Sequence, residues 1–275
     1  MIADGHIHTP FCPHGTSDRF EEYIEWAINH HLEEISFTEH APLPDDFIDT
    51  TPTKDSAMTH DQISEYIEKT TLLKEKYKPH IHINVGLEID YIAEYEQSIA
   101  VWLNKIGRHL DDSILSVHFI KVNEDYYCID YSAEYFSLIT EAAGSVDRVY
   151  ELYYTTLKKA ILSNLGIFKP KRIGHLTLAR KFQIKYPSVR DFHQTELELL
   201  QLIKNQHMAL DYNGAGVSKE YYKQPYPPSL LIEKAISLEI PLVYGSDAHR
   251  TQDLGQGFEQ LHPKAKLSKP SQLYK

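Results

Sequence analysis

The chain opens MIADGHIHTPFCPHG, which places His6, His8 and His14 close to Asp4 and Cys12. Imidazoles two residues apart on a β-strand point to one face, so His6 and His8 can meet a single ion. Ligand-type residues recur at intervals along the rest of the chain. Glu39 and His40 end EISFTEH, Glu88 sits in HINVGLEID, His118 in SILSVHFI and His175 in RIGHLT. Near the end, GSDAH supplies Asp247 and His249, again two apart. Nitrogen and carboxylate ligands without thiolate suit zinc, iron or manganese. His6, His8, His14, His40, Glu88, His118, His175, Asp247 and His249 are too many for one four-coordinate ion, and they fit a cluster of two or three. Such a cluster activates water and neutralises anionic substrates.

Other polar residues near these positions read differently. Asp4 and Glu39 are placed to orient imidazoles from behind through their second ring nitrogen. Cys12 reads as incidental, and Asp211 and Asn213 read as structural or substrate-facing. The remaining histidines, among them His30, His31, His60, His80 and His109, read as ordinary surface or core residues.

Something must carry these side chains to one place. Seven short segments rich in β-branched or aromatic residues predict strands: 1–8, 34–40, 82–90, 113–120, 172–177, 208–214 and 241–247. Between them, apolar residues recur at helical spacing over 17–29, with Ser17 as the cap, and over 59–76, 146–165, 191–205 and 228–238. Alternating strands and helices imply a parallel sheet, and seven units of this length predict an α/β fold, a distorted (β/α)7 TIM-like barrel. An open doubly wound sheet would carry a glycine-rich phosphate loop after its first strand, and DGHIHTPFCPHG is not one. No linker, repeat or low-complexity run divides the chain, so residues 1–275 read as a single domain. In a parallel barrel, function collects at the carboxyl ends of the strands, and the candidate ligands fall there.

Composition narrows the possible partners. With 28 basic and 39 acidic residues, the formal net charge is −11. Such a surface repels phosphate backbones, which argues against nucleic acid as a partner. A small phosphorylated substrate needs local positive charge, which bound ions supply. The two cysteines, Cys12 and Cys128, match no paired-thiol motif, and no secretory pattern or membrane-length apolar run occurs. These features point to a cytoplasmic protein.

The motifs resemble those of the PHP (polymerase and histidinol phosphatase) superfamily of metal-dependent phosphoesterases. They read here as DGHIHT, PHG, TEHAP, GLEID, SVHF, GHLT and SDAH. Within it, TEHAPLP, VGLEIDYI, LSVHFI, IGHLTLARKF and YNGAGVSKEYYKQPYPP look like the monofunctional histidinol-phosphate phosphatases. The resemblance spans nearly the whole chain and implies a distorted seven-stranded barrel with three divalent ions. Carried over by position, it implies that His6, His8, Glu88 and Asp247 hold one ion. Glu88 bridges to a second, held also by His118 and His175, and His14, His40 and His249 hold the third. The implied reaction is hydrolysis of L-histidinol phosphate to L-histidinol and phosphate, in histidine biosynthesis, by a hydroxide shared between two ions. Asp247 is also expected to relay a proton. Arg180, five residues beyond His175, is expected to grip the phosphate, with Lys219 a second candidate.

Three rivals remain at this level. An amidohydrolase also opens on HxH, but commonly places a lysine or glutamate at its fourth strand, where this chain has His118. A PHP phosphodiesterase or nuclease is opposed by the acidic balance and the lack of a basic stripe with aromatics. A metal-storing module is opposed by a ligand count that leaves coordination positions open.

Overall fold

In the computed structural model, which describes residues 1–274, a seven-stranded parallel sheet curls into a nearly closed barrel. Its strands are β1 (Ala3–Ile7), β2 (Glu34–His40), β3 (His82–Asp90), β4 (Asp112–Ser116), β7 (Arg172–Ile173), β8 (Ala209–Asn213) and β9 (Leu242–Gly245), adjacent in that order. A separate antiparallel hairpin, β5 (Phe119–Val122) and β6 (Asp125–Cys128), follows β4. Helices α1 (Phe20–Asn29), α2 (Ile63–Tyr77), α3 (Glu96–Ile106), α4 (Ala133–Ala143), α5 (Val146–Leu162), α6 (His193–Asn205) and α7 (Ser229–Ser237) complete the fold.

The helices are amphipathic because one stripe of each is buried against the barrel. In α5, Val149, Tyr150, Tyr153, Tyr154, Leu157, Ala160 and Ile161 recur every three or four residues, and all are buried. Burial of such side chains supplies roughly 1.5–3 kcal/mol each relative to exposure, which is what holds helices on a sheet that offers them no hydrogen bonds. Helices α4 and α5 begin on Ser132 and Ser145, whose hydroxyl oxygens accept the amide protons of Tyr135 and Arg148. Ser17 is not the cap of α1. That helix starts at Phe20, and the Glu22 carboxylate accepts the Arg19 amide proton instead.

The barrel interior differs from a purely apolar core. Arg172, on β7, is fully buried at its centre. Its Nη2 donates to Asp112 Oδ2 at 2.5 Å and to the Gly5 carbonyl at 2.8 Å, while Nη1 lies 3.5 Å from Asp211 Oδ1. A side chain at Gly5 would collide with that guanidinium, at 2.6 Å, so the residue is glycine for lack of room.

The barrel closes between β9 and β1 through one bridge, Ile7 to Ala248. The His8 amide donates to the Ala248 carbonyl at 2.9 Å and the Asp247 amide to the His6 carbonyl at 2.8 Å. Closure is close: a Cβ on Gly245 would lie 2.5 Å from both His6 Cβ and Asp211 Oδ1. Asp247 itself adopts a left-handed backbone, φ 54°, which costs an aspartate less than most residues.

Candidate metal centre

The carboxyl ends of the strands open into a cavity of about 560 Å³. His6 and His8 come from the end of β1, His40 ends β2, Glu88 lies near the end of β3, and His175 follows β7. His118 sits in the turn between β4 and β5 rather than inside a strand, because the chain turns back into the hairpin. His14, in the loop after β1, and Asp247 and His249, after β9, complete the set. His14, His40, His118, His175, Asp247 and His249 line that cavity, and the buried His6, His8 and Glu88 pack against them.

The hydrogen bonds behind these imidazoles fix where their lone pairs point. His6 Nδ1 is 2.9 Å from Asp211 Oδ2, His8 Nδ1 3.2 Å from Glu39 Oε1, and His118 Nδ1 2.8 Å from Asp90 Oδ1. His14 Nδ1 meets the Asp55 carbonyl at 2.7 Å, and His249 Nδ1 the Asp247 carbonyl at 3.1 Å. Each of these oxygens only accepts, so each Nδ1 carries the proton, and in the neutral ring Nε2 is left with its lone pair. Those Nε2 atoms converge. His14 and His249 face each other at 3.1 Å. His6 Nε2 lies 3.3 Å from Glu88 Oε2, and His8 Nε2 3.2 Å from Asp247 Oδ1. Among the described residues His6 Nε2, His8 Nε2 and His40 Nδ1 are buried without a hydrogen-bond partner, and His175 Nε2 faces Glu88 Oε1 at 3.0 Å. Lone pairs facing lone pairs and carboxylate oxygens repel unless a cation lies between them, so the donor set fits metal ions.

Electrostatics carry the same signature. Burial disfavours charge on His8, yet Asp247 and Glu39 hold its pKa up at about 9. His118 is likewise pushed up to about 10 by Asp90 and Glu88 against the cost of burial. His40 and His249 go the other way, well below the ordinary imidazole value, through burial and the neighbouring His8. Burial raises carboxyl pKa values in general, but His6 and His118 hold Glu88 well below its usual range, and His6 and His8 do so for Asp247. Without ions, protons shared among these groups take up part of the same role.

The ligand atoms form three groups whose members lie within 4.8 Å of one another: His6, His8 and Asp247; Glu88, His118 and His175; and His8, His40 and His249 together with Cys12. The buried Cys12 thiol, which reads as incidental in sequence, is therefore beside the third group. Glu39 backs His8, as its position suggested, and is itself held by Thr9 through Oγ1 at 2.5 Å and the backbone amide at 2.7 Å. Asp4 does not reach an imidazole. It accepts the backbone amides of His6 and Ser246, so it orients the strand and not the ring. Asp90 and Asp211, which back His118 and His6, were not picked out for that work in the sequence. Each sits at or near a strand end, and only the three-dimensional pairing reveals its partner.

Arg180 does not reach the cavity. Its guanidinium forms a two-pronged contact with the buried Glu196 of α6, Nε to Oε1 and Nη2 to Oε2 both at 2.7 Å, which leaves no free fork for a phosphate. Its neighbour Lys181 does line the cavity, tied to the carbonyl and carboxylate of Asp130. Lys219 lines it as well. Burial first, then Lys181, lowers the Lys219 pKa.

The fold and this site define a class: the chain belongs to the PHP domain family, whose model matches residues 4–215. It is 45% identical to the histidinol-phosphatase of Bacillus subtilis (strain 168) over 258 residues, 93% of this chain and 96% of that one. The crystal structure of HisK from Listeria monocytogenes superposes with a TM-score of 0.90 at 35% identity, covering 94% of this chain and all of the other. The fold is shared also with histidinol phosphate phosphatase from Lactococcus lactis, complexed with zinc, L-histidinol and phosphate, at 20% identity and a TM-score of 0.65 over 91% of this chain and 87% of the other.

Proposed function

We propose that the chain is a metal-dependent phosphomonoesterase that hydrolyses L-histidinol phosphate to L-histidinol and inorganic phosphate. The observation that carries this is the convergence of imidazole lone pairs on Glu88 and Asp247 at the floor of a cavity sized for a small molecule. The near full-length likeness to the Bacillus subtilis histidinol-phosphatase selects the substrate. His6, His8, Glu88 and Asp247 would hold one divalent ion, Glu88, His118 and His175 a second, and His14, His40 and His249 a third, with zinc, iron or manganese all suited to the donors. Ions held there supply Lewis acidity, drawing charge from the phosphoryl oxygens and making water nucleophilic near neutral pH.

The chain's own residues do the rest. Lys219, a partly desolvated cation that pairs with no carboxylate among the described residues, binds a phosphate oxygen, and Lys181 adds positive charge beside it. Asp247, kept ionised, takes the proton that the attacking water releases and returns it to the histidinol oxygen as the P–O bond breaks. Asp55, Asp130 and Asp253 line the same cavity and give the cationic amine and imidazole of the substrate an anionic wall. Glu39, Asp90 and Asp211 hold the rings of His8, His118 and His6 in place. The net charge of −11 argues against a nucleic-acid partner, and no helix among the described residues is long and apolar enough to cross a membrane. The two unpaired, buried cysteines agree with a cytoplasmic setting.

Phosphate release from L-histidinol phosphate, measured beside an aryl monoester and a diester, tests the reading. Chelated protein and Glu88→Ala serve as controls. Strong preference for histidinol phosphate, lost in both controls, is the expected result. Preference for the diester would overturn the substrate and leave the cluster.

A further inference from the structure

The buried amide of Asn213, at the end of β8, stands between two carboxylates. Its Nδ2 is 3.1 Å from Asp211 Oδ2 and 3.0 Å from Asp247 Oδ2. The two hydrogens of one NH2 group can be donated to two different acceptors, and both acceptors here are anionic. The rest of the residue is equally engaged. Its Oδ1 accepts the Ala215 amide at 2.9 Å, and its backbone pairs with Tyr226 in both directions, at 2.8 and 2.9 Å. Asn213 therefore has little freedom to move.

What it holds matters more than how it is held. Asp211 Oδ2 is the atom that meets His6 Nδ1, and Asp247 Oδ1 is the atom that faces His8 Nε2 at 3.2 Å and His6 Nε2 at 3.7 Å. One amide thus grips the carboxylate behind His6 and the carboxylate in front of it. Arg172 supports the same arrangement from the barrel centre, 3.5 Å from the other oxygen of Asp211.

We infer that Asn213 is a positioning residue for the first metal position: by occupying Asp247 Oδ2 it presents Oδ1 alone to the ion, and through Asp211 it fixes the plane of His6. This rests on the reading of His6, His8 and Asp247 as ligands. Without the amide, Asp247 is free to rotate or to offer both oxygens, and two neighbouring buried carboxylates lose the donor between them. Loss of a group that orients metal ligands typically weakens metal binding 10–100-fold.

The test compares wild type with Asn213→Ala and with Asn213→Ser, which keeps one hydroxyl donor. Metal-free protein is loaded with Co(II), titrated with a competing chelator, and its visible absorption recorded. In Asn213→Ala one ion of the set should bind roughly 10–100-fold more weakly, with an altered Co(II) spectrum and a kcat that falls more than KM rises. Asn213→Ser should recover part of each. Wild-type affinity and spectrum in the variants overturn the inference. So does a drop in the unfolding temperature of metal-free protein with metal affinity unchanged, because that is a purely structural role. If Asn213→Ala does not fold, Asn213→Ser carries the comparison. His6→Ala run in parallel separates the two layers. If it too keeps every ion at wild-type affinity, the ligand reading itself falls; if it loses one while the Asn213 variants lose none, only the role of Asn213 does.

Discussion

Replacing Arg172 with methionine removes the guanidinium from a fully buried cluster of carboxylates. Asp112 and Asp211 are both inaccessible, and the guanidinium is the group that contacts the two of them and the Gly5 carbonyl. Breaking a buried ion pair from one side costs about 3–5 kcal/mol, because the surviving charge is left without compensation. The unfolding entropy near 60 °C is about 2.1 cal/mol/K per residue, which for a chain of 275 residues comes to about 0.6 kcal/mol/K. Arg172→Met should therefore lower the unfolding temperature of the metal-free protein by about 5–9 °C at neutral pH. The sign of the pH dependence follows from Asp112. Burial raises its carboxyl pKa, and Arg172 opposes that rise. Once Arg172 is gone the folded value climbs further above the unfolded one. A carboxyl with a raised folded pKa costs stability when ionised, and the cost fades as pH falls through that pKa. The deficit should shrink as pH is lowered from neutrality, and Asp112→Asn in the same chain should recover part of it. Calorimetric unfolding of chelated samples at successive pH values measures all three. A variant within 1 °C of wild type, or a deficit that grows on acidification, would refute the reasoning.

Two other perturbations separate structure from chemistry. Arg180→Ala should cost about 3 kcal/mol by stranding the buried Glu196 and leave kcat/KM near wild type, whereas Lys219→Ala should raise KM or lower kcat without changing the unfolding temperature by more than a degree or two; steady-state kinetics and thermal unfolding of both variants decide it. Loading metal-free protein at pH 7 should expel protons, because His6, His8 and His118 hold theirs above neutrality in the ion-free site and must lose them to ligate. Apparent metal affinity should accordingly rise with pH until about 9–10, the values of His8 and His118, and a pH-stat titration that detects no proton release would contradict those assignments.

How much of this could be read from the chain depends on distance along it. Strands β2 and β3 match their sequence ranges, 34–40 and 82–90, residue for residue, because each is a β-branched run with a sharp polar end. HIH and DAH were legible for a related reason: a two-residue period fixes a shared face without reference to any other part of the molecule. The predicted strand 113–120 is too long, since nothing local marks the break at Val117 where the chain turns into the β5–β6 hairpin. The predicted strand 172–177 is only Arg172–Ile173 in the structure, and helices α3 and α4 have no counterpart among the predicted helices. Arg180 shows the limit most clearly. Five residues past His175 put it within reach of the rim, but the tight turn over Leu178–Phe182 aims Arg180 at α6 and its neighbour Lys181 at the cavity. Which of two adjacent cations faces a substrate is decided by that turn and by Glu196, contributed from another helix. The role of Asn213 is unreadable for a similar reason, since Asp247 comes within its reach only when β8 lies beside β9, and the two carboxylates meet His6 only when β9 lies beside β1.

That last juxtaposition has a consequence for how the protein is made. The two ends of the barrel meet across a single bridge, with His6 and His8 on one side and Asp247 and His249 on the other. A ribosome delivers the first pair long before the second. Until then Glu88, His118 and His175 are the one group with all its members present, while the groups built on His8 and His249 or on His6 and Asp247 lack a partner. An unfinished or carboxyl-terminally clipped chain would bind metal incompletely and hydrolyse nothing. Phosphatase activity thus begins with the same residues that shut the seam, and each ion lodged there afterwards works as a rivet between an earlier and a later part of the polypeptide.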